Sequence, residues 1–329
     1  MRIGSFDTDE RVLVIAEIGN NHEGDAGVAR ELVERAADAG ADAVKFQTFR
    51  TEAFVSPSDA DRYARMQRFE LAAAQFAELA DVAHARGLLF LSTALDLDSV
   101  DALAPIVDAY KIASGDITFF PLLSRVAAVG KPVVLSTGTS EPAEIVRAVD
   151  ALPGIDVAVL HCVSSYPASD EEINLRAIGV LAKLLPGRAI GYSDHTVGLD
   201  AAPLAVACGA RIVEKHFTLD RKFSDFRDHA LSADPEAMHE VVRRIRAAET
   251  LLGNPAKEVQ PSEVDAHVAL RRSIAAARGL DAGHVLVEHD LVWTRPADAL
   301  QPGQESLVLG RALRRAVVAG EHLHSDDVV

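Results

Sequence analysis

The chain has 329 residues, 49% of them hydrophobic, and a formal net charge of −16. That balance argues against a nucleic-acid partner, which needs a basic face to meet phosphates, and no apolar run approaches the roughly 20 residues of a membrane span. The length exceeds one typical domain and suits a barrel with a small appendage. The opening MRIGSFDTDE has neither a basic n-region nor an apolar h-region, which predicts no secretory signal. Two cysteines, Cys162 and Cys208, fall in apolar segments and suit a reducing compartment better than a disulfide. A cytoplasmic protein is expected.

Residues 12–19 (VLVIAEIG) form an apolar run that breaks into Asn20-Asn21-His22-Glu23-Gly24, and a helical pattern follows over 26–39, closed by Gly40. Residues 41–49 (ADAVKFQTF) repeat the scheme, with Lys45 and Gln47 on one face by period-2 alternation. A charged excursion over 50–67 precedes an Ala-rich helix predicted over 69–86. Further strands are predicted at 88–94, 109–116, 132–138 and 157–166, and two more lie within 189–218, separated by a helix over 199–208. Helix-compatible stretches at 99–107, 121–129, 141–151, 174–185 and 235–252 alternate with them.

Eight strand–helix units with polar strand ends predict a (β/α)8 TIM barrel over residues 1–253. An open doubly wound sheet is the alternative, disfavoured because no glycine-rich phosphate fingerprint follows the first strand. The first few residues could cap the barrel's base. Residues 254–270, polar with two prolines, read as a linker. Residues 271–329 read as a small β-rich domain, in which Ala282-Gly283-His284 onward echoes Ala319-Gly320-Glu321 onward and suggests approximate twofold symmetry. So small a domain should pack on something.

In such a barrel functional side chains sit at the C-terminal strand ends. Collecting these gives Glu17, Asn21 and His22; Lys45 and Gln47; Ser92 and Thr93; Lys111, Ser114 and Asp116; Ser136 and Thr137; Ser164 and Tyr166; Ser193 and His195; Glu214 and His216. Two lysines with hydroxyls from several strands suit a phosphate or carboxylate, and two imidazoles on adjacent strands are metal-ligand candidates. Each member also has a plain structural role open to it. A strand-end lysine can snorkel to solvent, Asp116 can cap a helix, His22 suits a loop better than a ligand set, and Glu214 can balance Lys45 or Lys111. Together they point to a metal-assisted enzyme acting on a phosphorylated or carboxylated small molecule.

The ordered motifs AEIGNNHEGD, VKFQT, YKIASGD, LSTG, LHCVSSYP, GYSDHT and VEKHFTLDR resemble the sialic acid synthase family, which makes nonulosonic acids from phosphoenolpyruvate. RRSIAAARGLDAG and DLVWTRP are similar to that family's C-terminal antifreeze-like (SAF) domain. The resemblance implies a homodimer with swapped C-terminal domains. It also implies a divalent metal on His195 and His216, usually Mn2+, with Mg2+ or Co2+ as alternatives. Lys45, Lys111, Ser114, Ser136, Ser164 and Ser193 would hold phosphoenolpyruvate. Glu17, Gln47, Asp116, Tyr166 and Asp228 would face the sugar or the reacting centre, and Arg295 would reach it from the partner subunit.

Three places depart from the family's commoner pattern: Lys222-Phe223-Ser224-Asp225-Phe226-Arg227-Asp228-His229 after HFTLDR, Arg295-Pro296-Ala297-Asp298, and Ser-Thr-Ala-Leu-Asp at the third strand end. All would lie on the acceptor side, which opens the acceptor to aldoses other than N-acetylmannosamine, unmodified or di-N-acetylated. Two other functions use the same scaffold. A Schiff-base lyase or aldolase working through Lys45 or Lys111 would be trapped by borohydride with pyruvate. A non-catalytic sugar- or partner-binding protein would not be expected to keep Glu17, Lys45, Lys111, His195 and His216 together.

Overall fold

Alternation of apolar side chains along each strand leaves one face for helices and the other for a barrel interior. The computed structural model describes residues 1–329, which divide into two compact units, Met1–Gly253 and Asn254–Val329. In the first unit eight parallel strands close a barrel: β1 (Leu13–Gly19), β2 (Ala43–Thr48), β3 (Leu89–Ala94), β4 (Ala109–Ile112), β5 (Val133–Ser136), β6 (Val157–Cys162), β7 (Ile190–Asp194) and β8 (Ile212–His216), with β8 pairing back to β1.

The inward positions form layers. Leu13, Ile15, Ala43, Leu91, Ala109, Val134, Ala158, Leu160 and Ile212 fill the lower barrel. Ile3, from the hairpin of Arg2–Ile3 and Phe6–Asp7, joins them and plugs the base. In the β7 layer there is no room for a side chain, since a Cβ on Gly191 would lie 2.4 Å from Leu160 Cδ2 and 2.5 Å from Ile212 O. Outward residues such as Val14, Val44, Phe90, Leu135 and Val213 pack under the helices. Lys215 and Asp194 also point outward and pair at 2.7 Å, both fully buried.

Local signals start the helices. Asp25 accepts from the amides of Gly27 and Val28 to begin Ala26–Asp38, and Asp234 accepts from Ala237 N to begin Pro235–Leu252. One segment departs from the sequence reading. The charged excursion contains helices Thr51–Phe54 and Ala60–Phe69, and the helix expected from residue 69 starts at Ala73. Asp59 caps Ala60–Phe69, while Glu70 accepts from Thr51 N at 2.8 Å and Oγ1 at 2.7 Å across the break. Only Met66 and Phe69 of that helix are buried, in a small cluster with Phe49, Val55 and Leu95. An apolar pattern so sparse reads as polar loop.

In the second unit Ser273–Ala276 and Leu291–Thr294 form an antiparallel pair over a core including Ile274, Leu280, Leu286, Leu313, Val317 and Leu323. The internal echo is a structural repeat. Ala276 pairs with Leu291 as Leu313 pairs with Val328, and Leu280 pairs with Val317 across the pseudo-dyad. Each copy has a short 3-10 turn, Glu288–Asp290 and Ser325–Asp327, whose aspartate is held by an arginine, Arg278 or Arg315. The stretch read as a linker holds a turn at Pro261–Glu263 and a helix at Val264–Leu270, and Val268 O accepts from Ala297 N at 2.9 Å.

Candidate active site

Continuing the period-2 alternation upward replaces apolar inward residues with polar ones: Glu17 on β1, Lys45 and Gln47 on β2, Thr93 on β3, Lys111 on β4, Ser136 on β5, Cys162 on β6, Ser193 on β7, Glu214 and His216 on β8. All line one cavity of about 670 Å³, within the usual size range of small-molecule sites. His195, just beyond β7, lines it too, with Ser114, Tyr166 and Asp228.

At the floor, charges pair in a chain. Lys45 Nζ lies 2.8 Å from Glu17 Oε2 and 3.6 Å from Glu214 Oε2, and Lys111 Nζ is 4.0 Å from Glu214 Oε1. Ser193 Oγ donates to Glu214 Oε1 at 2.8 Å, Lys45 to Thr93 Oγ1 at 3.2 Å, and Gln47 Nε2 to Glu17 Oε1 at 3.3 Å. The expected basic cradle is therefore charge-balanced, two ammonium groups against two carboxylates. Burial raises the Glu17 carboxyl pKa despite Lys45. Burial also opposes the Glu214 carboxylate, but Lys111 and Lys45 outweigh it and hold its pKa down. Burial lowers the Lys111 pKa, whereas at Lys45 the two glutamates overcome burial and raise it.

Hydroxyls collect on one side. Ser114 Oγ accepts from Gly138 N at 2.9 Å, and a Cβ on Gly138 would lie 2.1 Å from Ser164 Oγ and 2.9 Å from Ser114 Oγ. Three strand-end segments thus meet where only a glycine fits. Ser136 Oγ is buried with no partner. Ser164 and Asp116 are outside the cavity lining. Asp116 ends the turn Ser114–Asp116 rather than capping a helix, and burial, against Lys111, pushes its carboxyl up to about 6. His22 is also outside the lining, buried, and accepts from Gly24 N at 3.0 Å.

The imidazoles stand together, with the ring centres of His195 and His216 5.4 Å apart. His195 Nδ1 lies 2.7 Å from Val163 O. A carbonyl only accepts, so Nδ1 carries the proton and the Nε2 lone pair is free, as in metal-ligating histidines. Burial opposes a His195 cation, but contact with Cys162 at 3.7 Å and the Val163 carbonyl raise its pKa; a metal ion at Nε2 would take the proton's place. Burial, with His195 and Lys45, drives the His216 pKa well down, and its Nδ1 is buried without a partner. A neutral His216 with an unmet nitrogen, beside a His195 whose Nε2 proton a metal would displace, fits a borderline divalent ion.

The Tyr166 ring lies 4.2 Å from His195 and 5.9 Å from His216, and the Arg227 guanidinium sits 5.0 Å over its face. Asp228 is buried beside Arg227, Oδ1 to Nε 3.2 Å, and burial raises its carboxyl pKa. Arg295 is in the second unit, exposed, and forms no side-chain hydrogen bond or ion pair there. Sequence reasoning missed Glu23, Cys162, and Arg62, Arg65 and Arg68, which all line the cavity. The three arginines recur every third residue on Ala60–Phe69, a helical signal passed over because the segment read as loop.

The NeuB family pattern matches residues 32–257 and the SAF domain pattern residues 271–329. An uncharacterized protein of Methanocaldococcus jannaschii is 43% identical, over 97% of this chain and 95% of its own. The N,N'-diacetyllegionaminic acid synthase of Legionella pneumophila is 37% identical, over 94% of this chain and 92% of its own. Among solved structures, the N-acetylneuraminic acid synthetase of Leptospira borgpetersenii in complex with citrate aligns with a TM-score of 0.77 at 34% identity, covering 81% of this chain and 94% of that one. No helix of the chain is long and apolar enough to cross a membrane. A polar-topped barrel with this ordered set of strand ends, followed by a twofold-repeated β domain, belongs to the NeuB family of nonulosonic acid synthases.

Proposed function

We propose that the chain joins phosphoenolpyruvate to an open-chain aldose and water, giving a nonulosonic acid and inorganic phosphate with C–O cleavage. The supporting observation is that one cavity unites the Glu17–Lys45–Glu214–Lys111 chain, Ser114, Ser136 and Ser193, and the His195–His216 pair. Lys111, Ser114, Ser136 and Ser164 hold the phosphate and carboxylate, with the Gly138 amide fixing Ser114 Oγ and Lys45 and Ser193 setting the charge around them. A divalent ion held by His195 and His216, Mn2+ by family resemblance, would supply Lewis acidity toward the aldehyde oxygen.

Carbon 3 of phosphoenolpyruvate attacks the aldehyde carbon, whose oxygen takes the proton that water gives up through Glu17. Water adds to the cation left at carbon 2, and as the C–O bond of the tetrahedral product breaks, phosphate leaves with the remaining hydroxyl proton. Glu17, beside Lys45, steadies that cation and accepts the water's proton. Because the anion's charge rises as phosphate leaves, the lysines contribute more in the transition state than in binding.

Gln47, Tyr166 and Asp228 form the acceptor side. Arg295 reaches the acceptor in the partner's barrel, in a cytoplasmic homodimer with exchanged C-terminal domains. The relative named for N,N'-diacetyllegionaminic acid, with the altered loop at 222–229, favours a di-N-acetylated aldose over N-acetylmannosamine. The test is phosphate release from phosphoenolpyruvate with Mn2+ and a panel of aldoses, followed by product mass. Release independent of aldose would sink the reading. Mixing Arg295→Ala with His216→Ala protein should recover some activity if sites are shared between subunits.

A further inference from the structure

One carboxylate ties three separate parts of the cavity mouth together. Glu23, in the loop after β1, accepts from Ser224 Oγ and lies 3.4 Å from His229 Nε2 through the same oxygen, Oε1. Its Oε2 is 3.7 Å from Arg68 of helix Ala60–Phe69. Ser224 and His229 bracket the arm after β8 that carries Arg227 and Asp228, both in the cavity lining.

The proton inventory closes. Burial lowers the His229 pKa against Glu23, so one ring nitrogen carries a proton. With Nε2 donating to Glu23, Nδ1 takes the single Thr218 hydroxyl proton at 2.6 Å, in place of the Asp220 carbonyl, 3.1 Å from the same oxygen. Ser224 Oγ donates to Glu23 and accepts from Phe226 N at 3.0 Å. A second strap runs alongside: Asn21 Nδ2 donates to Ser232 Oγ at 3.0 Å, and Ser232 Oγ donates to the Asp228 carbonyl at 2.6 Å.

The backbone is arranged for this reach. Glu23 has φ +47°, and Gly24 after it has φ +87°, both in the left-handed region. A Cβ on Gly24 would lie 2.0 Å from Arg68 O, so the loop rests directly on the helix. Barrel closure makes β1 and β8 neighbours, which brings the two loops within hydrogen-bond range.

From this convergence we infer that Glu23 is a positioning residue for the acceptor, pinning the arm so that Asp228 and Arg227 face the sugar. The inference rests on the condensation reading above. It makes the mouth a unit: the arm's conformation is set by a residue outside it, and donor binding at the floor is not involved.

The test compares Glu23→Ala, Glu23→Gln and Ser224→Ala with wild type by amide hydrogen exchange over 222–229 and by separate KM values for acceptor and phosphoenolpyruvate. Glu23→Ala should speed exchange at Phe226 roughly tenfold or more and raise the acceptor KM about tenfold. The phosphoenolpyruvate KM should stay within about twofold. Ser224→Ala removes the acceptor of the Phe226 amide itself and should speed exchange there at least as much, but raise the acceptor KM by less, because His229 still meets Glu23. Glu23→Gln, whose amide oxygen still accepts from Ser224 and His229, should restore the acceptor KM to within about threefold. Unchanged exchange in both alanine variants overturns the inference, as does an equal rise in both KM values. A wild-type protein that releases phosphate with no aldose would overturn the condensation reading instead, while the exchange measurement still decides whether Glu23 holds the arm.

Discussion

Replacing Lys45 with methionine removes a charge and keeps most of the stem. Lys45 is 3% exposed, and its partners Glu17 and Glu214 are 2% and 6% exposed at 2.8 and 3.6 Å. Without the ammonium, two buried carboxylates remain with Lys111, 4.0 Å from Glu214, as the remaining floor cation. Glu17 is then the uncompensated charge. Breaking a buried pair by removing one partner costs about 3–5 kcal/mol, a large share of the roughly 5–15 kcal/mol that holds a domain together. Urea unfolding should show that loss at neutral pH.

The sign with pH follows from Glu17, whose carboxyl pKa is already raised by burial and loses the lysine that opposes this. A carboxyl with a raised folded pKa binds more protons folded than unfolded, so its contribution is lost as pH rises. The Lys45→Met deficit should shrink as pH falls. Lys45→Met/Glu17→Gln, which cancels the orphaned charge, should regain about half of the loss or more. Both variants should lose phosphate release. Stability of Lys45→Met within about 1 kcal/mol of wild type, or a double variant no more stable than the single, would refute the reasoning.

His195→Ala and His216→Ala should each lose Mn2+ binding by calorimetry as well as phosphate release; retained binding would break the metal assignment. Gly138→Ala puts a Cβ 2.1 Å from Ser164 Oγ; it should raise the phosphoenolpyruvate KM about tenfold or more and leave the acceptor KM nearly unchanged. The Asp116 carboxyl, pushed from 3.8 to about 6, contributes stability that is complete below the unfolded value and lost as pH rises through the folded one. Asp116→Asn should therefore gain on wild type between about pH 5 and pH 8, by on the order of 1 kcal/mol, in thermal unfolding at matched salt.

What the sequence determined by itself was local and periodic. Alternation in VLVIAEIG, ADAVKFQTF and their successors marks strands, and their polar ends name nearly every inward residue of the site, since period 2 already says which side chains share a face. The repeated AG turn of the C-terminal domain was legible for the same reason. Only tertiary structure decided which of these groups meet. That Lys45 lies between Glu17 and Glu214, and that Glu23 holds Ser224 and His229, depends on barrel closure and register between residues some two hundred apart in the chain, which no window of sequence contains. The helix Ala60–Phe69 and its arginines escaped notice because it buries only Met66 and Phe69, too little apolar surface to leave a period. The strand-end lysines and hydroxyls pointed to a site for anions; the fold balanced its charges and gave it a mouth.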